Sequence, residues 1–110
     1  MPRFRETIPV DDYVLDILMR DIVGHDRQPA AYLVYLHLYG LAARKKWKPV
    51  PASLRMIAEA TGLSKSAVQT ALELLRRRKL IETTSDQTTS GSRHTVLIQW
   101  RRGNGTSESV

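Results

Sequence analysis

The sequence predicts a mainly α-helical domain that ends in a small β-hairpin, and three observations support this fold class. Apolar residues recur at helical spacing in three stretches, residues 11–23, 29–44 and 64–78. Residues 80–85 and 94–100 instead show a two-residue alternation along the chain, as expected for two strands of a hairpin. With 110 residues, 42% of them apolar, the chain is long enough for about one domain with a modest core.

The first two predicted helices differ in how much of their surface is apolar. Residues 11–23 form an amphipathic helix whose other face is acidic and whose apolar stripe consists of Val14, Ile17, Leu18 and Ile22. After a turn, Pro29 suits the first position of a longer helix that reaches about residue 44 or 46. This longer helix is apolar almost all round. The first helix is therefore expected to cover part of it, within one chain or across a two-fold axis.

Residues 56–75 have the spacing of two short helices that cross through a tight turn. Ala58 is small enough for a second helix to pass close by, and Gly62 can adopt the positive φ that ends a helix sharply. Ser64 is a good N-cap for the next helix, on which Val68 points back towards the first. The segment therefore predicts a helix-turn-helix.

The connecting segments complete the pattern. The prolines in residues 48–51 favour an extended first strand, and Ser53 is placed to cap the second helix of the domain. Residues 85–93, between the two later strands, form a polar loop with a flexible Gly91, which we expect to be the tip of the hairpin.

Three features, in this order, carry a resemblance to a known family: Ala58, Gly62 and Val68, then a basic run at residues 76–79, then Leu80-Ile81-Glu82. Together they resemble the winged helix-turn-helix family of bacterial DNA-binding proteins. The resemblance implies a winged helix-turn-helix fold with an extra N-terminal helix, and a bacterial or phage-type transcriptional regulator. Many members have a glycine where this chain has Lys79. A left-handed Lys79 would carry about 1 to 2 kcal/mol of strain.

The third helix of this domain, residues 64–78, is expected to lie in the major groove of DNA. Its apolar residues face the core, which leaves a polar face of Lys65, Ser66, Gln69, Thr70 and Glu73. Lys65 can donate to guanine and Gln69 can pair bidentately with adenine, while Ser66 or Thr70 can contact a phosphate or a thymine methyl group. We therefore predict base contacts at Lys65, Ser66, Gln69 and Thr70. A solvated helix surface would show the same polar residues.

Contacts with the DNA backbone are predicted around that helix. The wing, residues 83–95, would lie along the backbone or reach the minor groove through Arg93 with Thr88, Thr89 and Ser90. At most two residues of the run 76–79 are expected to touch phosphate, because four adjacent residues spread around a helix. The predicted backbone contacts are Lys48, Ser53, Ser64, Arg76, Arg77, Arg93 and His94. Trp47, which stands among lysines, either flanks the duplex or closes the core.

Charge is distributed unevenly along the chain. The formal net charge is +6, yet residues 1–28 contain four basic and six acidic side chains, whereas residues 29–110 contain thirteen and five. The positive charge therefore lies with the helix-turn-helix, and it favours a polyanionic partner.

Other classes of function have little support. The absence of cysteine excludes disulfides and thiolate metal sites, and no nucleophile, base and orienting group occur together in a motif, so neither an enzyme nor a cofactor is expected. His25-Asp26 lacks further metal ligands, and His37 is expected in or near the core. Residues 30–43 are too short to span a bilayer, which takes about 20 apolar residues. We expect no signal peptide and no effector domain, and a cytoplasmic location at the nucleoid.

The sequence thus predicts three regions: an arm and helix at residues 1–28 for packing or dimerisation, a winged helix-turn-helix at residues 29–101, and a disordered tail at residues 102–110. The expected function is sequence-specific binding of double-stranded DNA in transcriptional regulation. A homodimer is expected, with its recognition helices about 34 Å apart. The alternatives are a replication-initiation or plasmid-partition module, and a protein-interaction winged helix whose third helix does not meet DNA.

Overall fold

The computed structural model describes residues 6–85 and 92–101. Two consecutive π-helical stretches, Val14–Leu18 and Arg20–His25, form what we call the N-terminal helix. The α-helices that follow are α1 (Pro29–Arg44), α2 (Leu54–Thr61) and α3 (Lys65–Arg77). Three strands, β1 (Val50–Pro51), β2 (Ile81–Ser85) and β3 (Ser92–Val96), form an antiparallel sheet in the order β1-β3-β2. The predicted fold class is confirmed.

The N-terminal helix occupies the predicted position but has wider turns than an α-helix. The N–H of Met19 donates to the carbonyl of Val14, and that of Asp26 donates to the carbonyl of Asp21 at 2.8 Å, each five residues back. Residues four apart lie near one face in either type of helix, so the apolar stripe does not distinguish them. Its buried members are Val14, Leu18 and Ile22.

Helix α1 lies at the centre of the core, in contact with the N-terminal helix, α2, α3 and the sheet. The hydroxyl of Tyr32 donates to the carbonyl of Val14 at 2.9 Å, and the hydroxyl of Tyr35 donates to the carbonyl of Leu97 at 3.3 Å. Both tyrosines are buried, so these bonds satisfy groups that would otherwise be costly inside the protein. The N-terminal helix therefore covers α1 within one chain.

The hairpin differs from its prediction at the second strand. Strand β2 agrees with residues 80–85 to within one residue. The second strand is present, but its predicted bounds, 94–100, are wrong, because β3 runs from Ser92 to Val96. The expected common face of Val96, Ile98 and Trp100 is wrong as well, since the last two residues lie beyond the strand. Both nevertheless pack against the core.

Beyond β3 the chain leaves the sheet, and its next residues contact Asp11. The indole N–H of Trp100 donates to the carboxylate of Asp11 at 2.7 Å, and Arg101 donates to both carboxylate oxygens at 2.6 and 2.7 Å. The Trp100 ring also stacks on Tyr13, with centroids 4.7 Å apart. The hydrogen bond from Arg101 holds the pKa of Asp11 below its usual value, against the opposing effect of burial. These contacts join residues about ninety positions apart, so the pattern of neighbouring residues in the sequence does not reveal them.

Of the two roles considered for Trp47, the contacts favour the core. Its ring meets the edge of the Tyr39 ring at a centroid distance of 5.0 Å, and the guanidinium of Arg101 lies 5.0 Å above it. No helix within the described ranges is both long and apolar enough to cross a bilayer.

Candidate nucleic-acid interface

Two serine caps and one glycine set the geometry of α2 and α3. The hydroxyl oxygen of Ser53 accepts from the N–H of Met56, and that of Ser64 accepts from the N–H of Ala67, each at 3.1 Å. Gly62 ends α2 with a φ of 80°, in the left-handed region where a side chain is strained. Both predicted caps and the predicted turn are confirmed.

The inner face of α3 holds it against α1, α2 and β2. The buried side chains are Val68, Ala71, Leu72, Leu74 and Leu75. All but Leu74 belong to the predicted apolar face. Ile57 of α2, fully buried, belongs to the same core. This packing fixes how α3 is oriented, and with it the direction of its polar side.

The opposite face of α3 presents the side chains predicted to read bases. Lys65, Ser66, Gln69 and Thr70 are all exposed, as is Glu73. The hydroxyl of Ser66 lies 3.3 Å from that of Ser64. The structure therefore brings the four residues together on one accessible surface, and their contact with bases stays a prediction.

The basic run after α3 divides into residues with different partners. Arg76 donates through Nη1 to the hydroxyl of Thr83 on β2 at 3.2 Å. Arg77 is exposed and has no ion-pair partner among the described residues. Arg78 instead pairs with Asp26 at 2.9 Å and lies 3.8 Å from Asp21. Arg76 and Arg77, the two residues of the run predicted to contact the backbone, are thus both exposed.

Lys79 has the left-handed conformation considered for it, with a φ of 60°. The N–H of Lys79 donates to the carbonyl of Arg76 at 3.0 Å, and that of Leu80 donates to the carbonyl of Leu75 at 2.9 Å. The turn thereby satisfies carbonyls at the end of α3 while the lysine carries the strain.

The remaining predicted backbone contacts lie on β1, β3 and the two caps. Lys48 is exposed just before β1, and Arg93 is exposed on β3, opposite Thr84 on β2. The oxygens of Ser53 and Ser64 accept from backbone N–H groups, and their hydroxyl protons can still donate. Thr88, Thr89, Ser90 and Gly91 of the predicted wing tip lie outside the described residues, as do residues 1–5 and the predicted tail.

His94 does not fit its predicted contact with the DNA backbone. Its side chain is only 2% exposed and lies within hydrogen-bond distance of Thr83 and of the carbonyl of Ala52. The cause is its position inside the sheet: His94 pairs with both Val50 and Thr83, and alternation turns it inward with Val96. Burial and the nearby charge of Arg76 lower the pKa of His94, although its backbone hydrogen bond raises it.

Two side chains with evident roles escaped the reasoning from sequence. The hydroxyl of Thr83 is within hydrogen-bond distance of both Arg76 and His94. The carboxylate of Asp26 forms an ion pair with Arg78. Asp26 had only a weak signal, its place at the end of an acidic helix. Thr83 had none beyond its position in an alternating strand.

His25 and His37, the two histidines outside the predicted interface, have different surroundings. His25 Nδ1 lies 3.1 Å from the carboxylate of Asp26, which Arg78 also engages. Among the described residues, no three metal-ligating side chains group together. His37 is half-buried, and its pKa is lowered by burial and by the charge of Arg44.

Comparison with known protein families agrees with this geometry. Residues 28–81 match a family described as "Helix-turn-helix domain". This range begins one residue before α1, contains β1, α2 and α3, and ends at the first residue of β2. No curated protein and no solved structure matches the chain.

Proposed function

We propose that the protein binds double-stranded DNA sequence-specifically and regulates transcription. The match of residues 28–81 to a helix-turn-helix family supports DNA binding. The observation that carries this proposal is the exposed polar face of α3, the second helix of the helix-turn-helix. The protein acts by occupying its site, in the cytoplasm at the bacterial nucleoid, and performs no catalysis.

Base reading is assigned to α3 in the major groove. Gln69 offers a donor and an acceptor that match the N7 and N6 groups of adenine, and Lys65 offers a donor for O6 and N7 of guanine. Ser66 and Thr70 flank Gln69 on the helix and supply shorter contacts. The rigid packing of the inner face supports this role, since a side chain reads sequence only if its helix is held in one orientation.

Backbone contacts would surround this helix on both sides. Arg76 and Arg77 lie at its C-terminal end, and Lys48, Ser53 and Ser64 lie near the beginnings of β1, α2 and α3. The wing, residues 83–95, would follow the backbone or enter the minor groove with Arg93. These groups carry no sequence information but set the register of the protein on the duplex.

We also propose that two copies bind DNA together. Leu15 and Met19 of the N-terminal helix are 48% and 41% exposed, and Leu33 of α1 is 47% exposed. Leu15 and Met19 are four residues apart and share a face. A symmetric pair would place two copies of α3 on one side of the duplex, which raises the affinity of a small reader.

Selection of binding sites from random duplex DNA tests the function. The proposal expects enrichment of a defined sequence, whose half-sites recur about one helical turn apart if two copies bind. Retention of all duplexes alike, with strong salt dependence, would leave only non-specific binding. Absence of any binding would favour the protein-interaction alternative.

A further inference from the structure

Four groups between α3 and the sheet form a continuous chain of hydrogen bonds. Arg76 Nη1 donates to Oγ1 of Thr83 at 3.2 Å. The same oxygen lies 3.0 Å from Nδ1 of His94, and Nε2 of His94 lies 3.1 Å from the carbonyl oxygen of Ala52. The chain thus runs from an exposed cation to a buried backbone group.

The chemistry of the acceptor at one end fixes every proton in this chain. A carbonyl oxygen only accepts, so His94 Nε2 must carry the hydrogen that it donates to Ala52. In the neutral ring Nδ1 is then an acceptor, and the hydroxyl of Thr83 must donate to it. The lone pairs of Thr83 face Arg76, from which they accept. Burial and the charge of Arg76 both favour this neutral ring.

His94 occupies the one strand that pairs with both others in this sheet. It lies opposite Val50 of β1 and Thr83 of β2. Its partner Ala52 directly precedes Ser53, the cap of α2. On the outer side, a cleft of about 190 Å³ is lined by Arg76, Thr83 and Gln69 among others. Arg76, the exposed end of this series of hydrogen bonds, therefore lies beside Gln69, the residue predicted to read adenine.

We infer that His94 is a positioning residue for DNA binding: it orients the hydroxyl of Thr83, which in turn holds the guanidinium of Arg76 towards a backbone phosphate beside Gln69. The inference rests on the proposed function. An arginine side chain has many rotamers, and one that is already held in place loses less freedom when it binds a phosphate. A buried residue thereby contributes to an interface that it does not touch.

Two substitutions of His94 separate this role from simple packing. Asparagine places its amide where Nδ1 of histidine lies, so His94→Asn can still accept from Thr83 while it loses the bond to Ala52. Glutamine reaches the position of Nε2, so His94→Gln keeps the bond to Ala52 and loses the one to Thr83. Thr83→Val removes the hydroxyl that links Arg76 to His94 by hydrogen bonds. Tyr32→Phe is the control, because it also removes one hydroxyl that donates a hydrogen bond, here to the carbonyl of Val14, and it lies outside the proposed interface.

The measurements are the order of the Arg76 Nε–H group by NMR relaxation in the free protein, and the salt dependence of duplex binding. We expect Thr83→Val and His94→Gln to increase the mobility of Arg76 and to lower the salt slope by up to about 0.9, the loss of one phosphate contact. His94→Asn and Tyr32→Phe should retain the parent values. Thermal unfolding of each variant measures packing separately.

The outcomes distinguish this inference from the proposed function. If the mobility of Arg76 is unchanged in His94→Gln, or if both variants of His94 alter it in step with their loss of stability, the positioning role is overturned. If the parent protein binds no duplex, the proposed function fails. The mobility of Arg76 in the free protein still decides whether His94 holds it.

Discussion

The guanidinium of Arg78 donates a hydrogen bond to the carboxylate of Asp26 at a distance of 2.9 Å. Arg78 lies just after α3, and Asp26 lies at the end of the N-terminal helix. The two residues are 52 positions apart, and the side chain of Asp26 is only 14% exposed. Burial raises the pKa of Asp26, but hydrogen bonds from His25 and Arg78 outweigh it, and the pKa lies below its usual value. One cation of the basic run therefore stabilises the fold and is already neutralised.

Adjacent arginines should accordingly respond differently to the same change. Arg78→Gln should lower the free energy of unfolding by up to about 1 kcal/mol, a range typical of accessible ion pairs, and leave the salt slope of DNA binding unchanged. Arg77→Gln should leave stability within about 0.5 kcal/mol and lower that slope by about 0.9 if Arg77 contacts phosphate. Urea unfolding and binding titrations measure both. The reverse pattern would mean that Arg78 binds DNA and Arg77 does not.

Stability should fall as the solution is acidified. Burial lowers the pKa of both His94 and His37 from a usual value of 6.5. Below about pH 6.5 these histidines therefore bind protons more readily in the unfolded chain than in the folded one. The free energy of unfolding decreases as pH falls. Urea unfolding at about pH 7.5 and pH 5.5 measures the difference, and His94→Asn should reduce it. Equal stability at both values would contradict buried neutral histidines.

Lys79 offers a site where glycine should stabilise the protein. Lys79→Gly relieves a left-handed conformation that costs about 1 to 2 kcal/mol, less the extra freedom that glycine gives the unfolded chain. The matched change is Gly62→Ala, which introduces the same strain at a φ of 80°, where an added Cβ meets nothing within 4 Å. The midpoint temperature of thermal unfolding should rise by a few degrees for Lys79→Gly and fall for Gly62→Ala. A fall for both would show that Lys79 contributes through its side chain.

Self-association should depend on the exposed residues of the N-terminal helix. Light scattering at micromolar concentration should give twice the chain mass of 12.5 kDa for the parent protein and 12.5 kDa for the double variant Leu15→Glu, Met19→Glu. Met56→Glu, a change at a 55% exposed residue of α2, is the control and should remain a dimer. A parent protein that scatters as a monomer would contradict the proposed pairing.

The sequence predicted those features of the fold that depend on neighbours along the chain. Pro29, Ser53, Gly62 and Ser64 each act through backbone within a few residues, and the structure has them in their predicted roles. The polar face of α3 followed from helical spacing for the same reason.

Features that depend on distant partners were not predicted. Trp100 and Arg101 contact Asp11, about ninety positions earlier in the chain. His94, expected to border the wing, instead pairs with both neighbouring strands and is buried. A strand turns alternate residues to opposite faces, so burial of a single side chain needs the register that the partner strand imposes.

The proposed function requires that Gln69 reads a base from the exposed face of α3. Fluorescence anisotropy titration of the parent protein and of Gln69→Ala, on the selected site and on a shuffled duplex at one salt concentration, measures this contribution. Gln69→Ala should lose about 1 to 3 kcal/mol of binding free energy on the selected site and nothing on the shuffled duplex. Equal losses on the two duplexes, or no loss on either, would contradict it.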